Sequence, residues 1–244
     1  MKIRRKLWTW LIAIVLVLAV AAAGANVWVE SLYPVQEAAR AALVPLEHLT
    51  VEQTDDAIVF LPSEAKAGFI FYPGGLVPAE AYAPLMHALA EEGVLCVVPK
   101  MPLRLAVLDM NAADSIAEQY PGITRWAIGG HSLGGAMAAS YAAKHAEAFD
   151  ALVLLAAYST AELLEDLSVV SIYGDADGVM NREKYAEYRA NLPEQTAEVV
   201  IPGGNHAQFG DYGPQKGDGE AAISPQGQLA RTLQAVLPVL LGQE

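Results

Sequence analysis

Gly130-His131-Ser132-Leu133-Gly134 is the stretch on which the reading of this chain turns. It has the form G-x-S-x-G, follows the short apolar run 125–128 (RWAI), and opens a small-residue segment, 136–144, with helical character. A strand that turns at once into a helix leaves the residue at its apex in a strained backbone conformation. Side chains two positions to either side of that apex would collide with neighbouring chain. Glycine at 130 and 134 removes both collisions, so Ser132 is expected to stand exposed at the carboxyl end of a strand. In a chain with 20 glycines the bare pattern is not specific, and its flanks and the residues downstream give it weight.

A serine hydroxyl at its free pKa is a poor nucleophile. It needs a histidine base, and the base needs a carboxylate to fix its tautomer and stabilise the imidazolium. Both groups follow Ser132 in chain order. The apolar run 167–173 (LSVVSIY) ends in Gly174-Asp175-Ala176-Asp177-Gly178-Val179, and the run 198–201 (EVVI) ends in Pro202-Gly203-Gly204-Asn205-His206. Of the five histidines, only His206 has a strand before it, a glycine-rich loop around it and a position after both serine and acid. His131 belongs to the elbow and is a candidate to line the site or to pack beneath it. His87 and His145 fall in helical patterns and His48 precedes the first strand, which suits surface or internally satisfied histidines.

From about residue 51 to 241 the chain resembles the α/β-hydrolase superfamily, with the likeness most specific at the elbow and at the histidine loop GGNHAQFGDYG. That loop is similar to those of small, uncapped bacterial members. The resemblance implies a mostly parallel central sheet with helices on both faces and a Ser132, acid, His206 set in that order. Members commonly carry G-x-x-D-x-x-V or a close variant after the strand that bears the acid, which favours Asp177. Asp175 is the alternative acid, and as a turn residue it would cap its own loop. The fragment D-A-D-G lacks the spaced ligands and distal glutamate of a calcium loop, and acyl transfer by such a triad calls for no metal and no cofactor.

The oxyanion formed in acyl transfer requires preorganised donors, usually backbone N–H groups. One is expected from Leu133, at a helix start where unpaired N–H groups and the dipole favour negative charge. The second is expected from the loop after an early strand, where Phe69-Ile70-Phe71-Tyr72 runs into Pro73-Gly74-Gly75-Leu76. This resembles the H-G-G type of loop with proline in place of histidine, and leaves Gly75 and Leu76 as alternative donors. Between the sixth and seventh strands, where many relatives insert a lid, only residues 158–166 are available, enough for a short helix, so an open site is expected. The segment 208–225 is the one placed to overhang it and is too glycine-rich to read as a rigid element. Arg104 is a candidate to bind a substrate carboxylate, with an ordinary surface cation as the alternative.

The first thirty residues form a separate unit. Met1-Lys2-Ile3-Arg4-Arg5-Lys6 is basic and residues 7–25 are almost unbroken apolar sequence, reaching Val29 if Asn26 is tolerated. The length favours a retained membrane anchor with a cytoplasmic N-terminus and an extracytoplasmic catalytic domain. Ala23-Gly24-Ala25 offers the alternative of signal cleavage and secretion. No cysteine lies near the end of the run, which excludes a lipoprotein anchor.

Four of the 15 basic residues precede that run, so the remainder sets 11 against 28 acids. Nucleic acid and anionic lipid are poor partners for such a surface. The lone Cys96 lies in an apolar run, 94–98, as a core residue without a disulfide partner. Residues 31–48 read as a helical linker and 49–244 as one catalytic domain. Its expected strands are 49–53, 57–61 and runs near Gly68, Val94, Arg125, Ala151, Val169 and Ala197. Its expected helices are 79–92, 112–120, 132–144, 181–190 and 225–240.

The expected activity is that of a serine hydrolase acting on a small carboxylic ester. Thioesterases, dienelactone-hydrolase-like enzymes and acyltransferases use the same residues. A catalytically silent binding protein on this scaffold is the reading from a different class.

Overall fold

The computed structural model describes residues 31–243 and, before them, 10, 11, 14–17, 20, 24 and 27–29. Eight strands form a single sheet: β1 (Leu49–Gln53), β2 (Ala57–Pro62), β3 (Ala67–Tyr72), β4 (Val94–Pro99), β5 (Trp126–His131), β6 (Ala151–Leu155), β7 (Ser168–Gly174) and β8 (Ala197–Ile201). Their spatial order is β1-β2-β4-β3-β5-β6-β7-β8. β2 is antiparallel to both β1 and β4, and every pairing from β4 to β8 is parallel.

β3, β4, β5 and β6 are buried throughout, which is why they read as continuous apolar runs with no polar alternation. Their side chains still alternate between two cores. Phe69, Phe71, Val153 and Ile172 point to the face covered by α2 (Ala83–Glu91) and α5 (Pro225–Leu241), together with the short α1 (Glu37–Ala42). Ile70, Tyr72, Ile128 and Leu154 point to the face covered by α3 (Leu133–Lys144), and the short α4 (Arg182–Glu187) follows β7. A sheet with helices on both faces leaves its functional groups to the loops at the carboxyl ends of the strands.

α5 has well-defined ends. Ser224 accepts a hydrogen bond from the Gly227 N–H (3.1 Å), and the left-handed Gly242 closes the helix. The Arg125 guanidinium donates to the carbonyls of Val239 (3.0 Å) and Leu240 (2.9 Å), a cation at the negative end of the helix dipole.

Four expectations need correction or reduction. Residues 112–120 do not form a crossover helix: they run through turns with one 3-10 turn, Ala117–Gln119. The Tyr72 hydroxyl accepts from Ala113 N–H (2.9 Å) and donates to Met110 carbonyl (2.8 Å), and Ser115 sits at φ 60°, so the backbone is engaged in ways a helix would forbid. Residues 158–166 hold no helix, because Ser159 bonds locally to Ala161 and Leu163 N–H turns to the Asn191 carbonyl.

The stretch 31–48 is helical at Ser31 and Leu32 and over Glu37–Ala42, irregular elsewhere, and packed on the domain. Tyr33 lies edge-on to Tyr212 at 5.2 Å, and Ala39 N–H donates to Asp211 Oδ2 (2.7 Å). The glycine-rich stretch 208–225 is likewise tied down. Tyr212 is buried, and Asp211 N–H donates to the Ala81 carbonyl (2.7 Å). The apolar run read as an anchor, 7–29, lies mostly outside the described residues, among which no helix is long and apolar enough to cross a membrane.

Candidate active site

β5 delivers the serine. After His131 the chain turns at Ser132, with φ 53° and ψ −122°, and enters α3 at the next residue. No unstrained L-residue favours that conformation, and it is held by the Ser132 N–H donating to the Leu155 carbonyl (2.9 Å) at the end of β6. The two flanking glycines are sterically required. A Cβ on Gly134 would lie 2.2 Å from the carbonyl oxygens of Tyr72 and Pro73, and one on Gly130 would lie 2.5 Å from the Tyr72 oxygen. β3 and α3 can therefore approach closely only with hydrogen at both positions.

The candidate acid and base come from the loops after β7 and β8. His206 Nδ1 donates to Asp177 Oδ2 at 2.8 Å, with both side chains almost wholly buried. Asp177 Oδ1 accepts from the N–H groups of Val179 and Met180, each at 2.8 Å. Burial alone raises the Asp177 pKa. The hydrogen bond and charge of His206, with the two backbone donors, outweigh that effect and hold the carboxyl below its ordinary range. A carboxylate that only accepts fixes the proton on Nδ1, so in the neutral ring Nε2 carries the lone pair. That nitrogen is buried and makes no hydrogen bond within the described residues. No hydrogen bond joins it to Ser132 in this structure. Asp175, the other aspartate considered, is elsewhere: its Oδ1 accepts from the Gly203 N–H at 2.6 Å.

The N–H groups expected to receive an oxyanion separate in the same way. Among the described residues, neither the Leu133 N–H nor the Gly75 N–H has an acceptor, and the Leu133 side chain lies against Gly75. Leu76, the alternative, is committed: its N–H donates to the Arg104 carbonyl at 2.7 Å. Arg104, the candidate substrate ligand, donates from Nη1 to the Val29 carbonyl at 3.1 Å. Leu76, Leu103 and Arg104 all have left-handed backbones, with φ of 66°, 50° and 55°. That strained segment ties the loop after β3 to the chain beyond β4.

His131 lies beneath the site. The Gly74 N–H donates to the Tyr82 hydroxyl (2.9 Å), and that hydroxyl shares a hydrogen bond with His131 Nδ1 (2.8 Å). The His131 ring packs at 4.4 Å from that of His206. Burial, reinforced by the neighbouring His206, lowers the His131 pKa well below the ordinary histidine range, so this ring is neutral. Tyr82 carries no motif and sits in what reads as ordinary amphipathic helix; nothing in the sequence singles it out. Of the remaining histidines, His87 donates from Nδ1 to the Ala42 carbonyl (2.8 Å) and His145 stacks on Tyr141 at 4.1 Å.

Comparison with known proteins matches this geometry to a family. The sequence profile of the Alpha/beta hydrolase family fits residues 68–230. TT1662 from Thermus thermophilus superposes with a TM-score of 0.58 at 15% identity, covering 79% of this chain and 98% of that one. Est1E from Butyrivibrio proteoclasticus superposes with a TM-score of 0.56 at 14% identity, covering 79% and 99%, and one of its structures has ferulic acid bound. No curated protein matches this chain. At these identities the structural likeness concerns the fold, while the profile covers both the elbow and the histidine loop.

Proposed function

The chain belongs to the alpha/beta hydrolase family, and from that premise we propose that it is a serine hydrolase that cleaves carboxylic esters through an acyl-enzyme on Ser132. The observation that carries the reading is the state of His206. Its Nδ1 is engaged by a buried carboxylate, and its Nε2, the nitrogen that must accept a proton, has no hydrogen-bond partner among the described residues, while its ring packs at 4.4 Å from that of His131, the residue before Ser132. In the mechanism Ser132 Oγ attacks the ester carbonyl and His206 Nε2 takes the hydroxyl proton. Asp177 stabilises the imidazolium, and the proton passes to the departing alkoxide. The Leu133 and Gly75 N–H groups receive the oxyanion. Water then repeats the sequence on the acyl-serine and releases the acid. A small ester fits a site without an inserted lid, since only irregular chain joins β6 to β7.

The test is covalent labelling. The purified protein reacts with a fluorophosphonate at Ser132 and hydrolyses short-chain p-nitrophenyl esters, and Ser132→Ala loses both. Ester hydrolysis undiminished in Ser132→Ala would refute the mechanism.

The reading extends to location: the protein stays anchored by residues 7–29, with the catalytic domain outside. Support comes from the basic cluster ahead of an apolar run, and from the exposure of its described members, including Trp10, Val20 and Val27. Sequencing the N-terminus of protein from membrane and culture fractions decides this. An intact N-terminus in the membrane fraction is expected, and a soluble form beginning at Asn26 would overturn it.

A further inference from the structure

Behind the base, three loops from separate parts of the chain meet: 174–180 after β7, 202–206 after β8, and 215–219 from the return toward α5. Asp218 lies at their junction. Its Oδ1 accepts from the N–H groups of Gly178 (3.1 Å), His206 (3.2 Å) and Gly219 (2.9 Å), and its Oδ2 accepts from Ala207 N–H (2.8 Å). Asn205 Nδ2 adds a bond to the Gly219 carbonyl (2.9 Å). The return loop lies directly on the acid loop, since a Cβ on Gly219 would fall 2.0 Å from the Ala176 oxygen.

We propose that Asp218 is a positioning residue for the hydrolysis described above, holding the acid loop and the base loop in the register that brings His206 Nδ1 onto Asp177. The proposal rests on the reading of Ser132, Asp177 and His206 as a triad. Three features carry it. Gly178 is the neighbour of the acid and His206 is the base, so one carboxylate oxygen touches the chain at both. The N–H groups of His206 and Ala207 lie at the start of the 3-10 turn Ala207–Phe209, where backbone donors lack internal partners and favour a negative acceptor. Among the described residues Asp218 has no cationic partner, so its charge is satisfied by backbone donors of the two loops and its own. It makes no hydrogen bond to the imidazole or to the Asp177 carboxylate, and so acts through backbone placement.

The experiment uses the full-length protein with a short-chain p-nitrophenyl ester. Asp218→Ala is expected to lower kcat by about 10- to 100-fold with KM within about twofold, the scale of effect that a misplacement near 1 Å produces. Asp218→Asn keeps one acceptor oxygen and should fall between, and it serves as the test if the alanine variant does not fold. In an Asp177→Asn background, Asp218→Ala should add less than about threefold, because the two act on one geometry. A second readout needs no turnover: the far-downfield proton resonance of His206 Nδ1–H should broaden or move upfield in either Asp218 variant. The proposal is overturned if the Asp218 variants lose thermal stability but keep kcat, if their losses multiply with that of Asp177→Asn, or if the resonance is unchanged. Should Ser132→Ala retain activity, the triad reading fails, while the resonance still reports whether Asp218 holds the pair.

Discussion

On the serine side of the site, residues 130–135 hold Ser132 through one turn and the strand end beside it. Its constraints are steric: two glycines pressed against the carbonyls of Tyr72 and Pro73, and a left-handed serine bonded to Leu155. On the base side nothing comparable is local. Asp177 and His206 lie 29 residues apart, and Asp218 a further 12 residues on. They meet only because β7 and β8 run parallel in register and a third loop folds back over their ends. The contrast teaches how each half should fail. A fault on the serine side is a clash that the core must absorb, whereas a fault on the base side is a loss of alignment between groups that act as one.

The largest effects test that unity. Ser132→Ala and His206→Ala should each reduce kcat by about 10³- to 10⁶-fold, with the double variant little worse than either. Multiplicative losses in steady-state assays would break the claim that the two sides form a single device. Next in size is the separation of the aspartates. Asp177→Asn should cost about 10²- to 10⁴-fold in kcat with an unchanged fold, and Asp175→Asn about tenfold or less, since Asp175 supports only Gly203 N–H. The opposite ranking would move the acid to Asp175.

A smaller effect, on stability, sharpens the serine side. Gly134→Ala places a methyl against two backbone carbonyls that cannot rotate away, and should destabilise by about 1–3 kcal/mol or more. Gly122→Ala, where a Cβ would meet nothing within 4 Å, should shift stability by less than about 0.5 kcal/mol. Urea denaturation midpoints of the two variants make the comparison, and equal midpoints would show that the elbow is not sterically limited.

The smallest effect is graded with pH. His131 stays neutral in the folded protein well below the ordinary value of 6.5, so on acidification the unfolded chain binds a proton that the folded chain refuses. Stability should therefore decline as pH falls below about 6.5, by at most about 1.4 kcal/mol per unit, until the folded-state titration is reached. Asp177, held below its ordinary 3.8, stabilises the fold above that value. Its contribution is lost as pH falls from there through its lower folded-state value. Thermal melts across the weakly acidic range should show a shallower slope in His131→Asn than in the parent, and identical slopes would remove His131 as the cause.

Much of this was legible in the chain. The strand runs, the helices expected at 132–144 and 225–240, the elbow and the order Ser132, aspartate, His206 can all be read from residue patterns. Each depends on local periodicity or on glycine at a fixed offset. The reading failed where a distant side chain took over the backbone. The Tyr72 hydroxyl captured the turn at 110–113 and displaced an expected helix.

The sequence by itself determined the alternation of elements, the burial of the central strands and the position of the strained serine, because hydrophobic period and glycine sterics act over a few residues. Only the tertiary structure decided which aspartate meets His206, which backbone N–H groups stay open and that the glycine-rich return loop is clamped by Asp218. Those outcomes depend on directional hydrogen bonds between segments whose proximity is set by strand pairing across the sheet, and a directional bond has no signature in the spacing of the residues that make it.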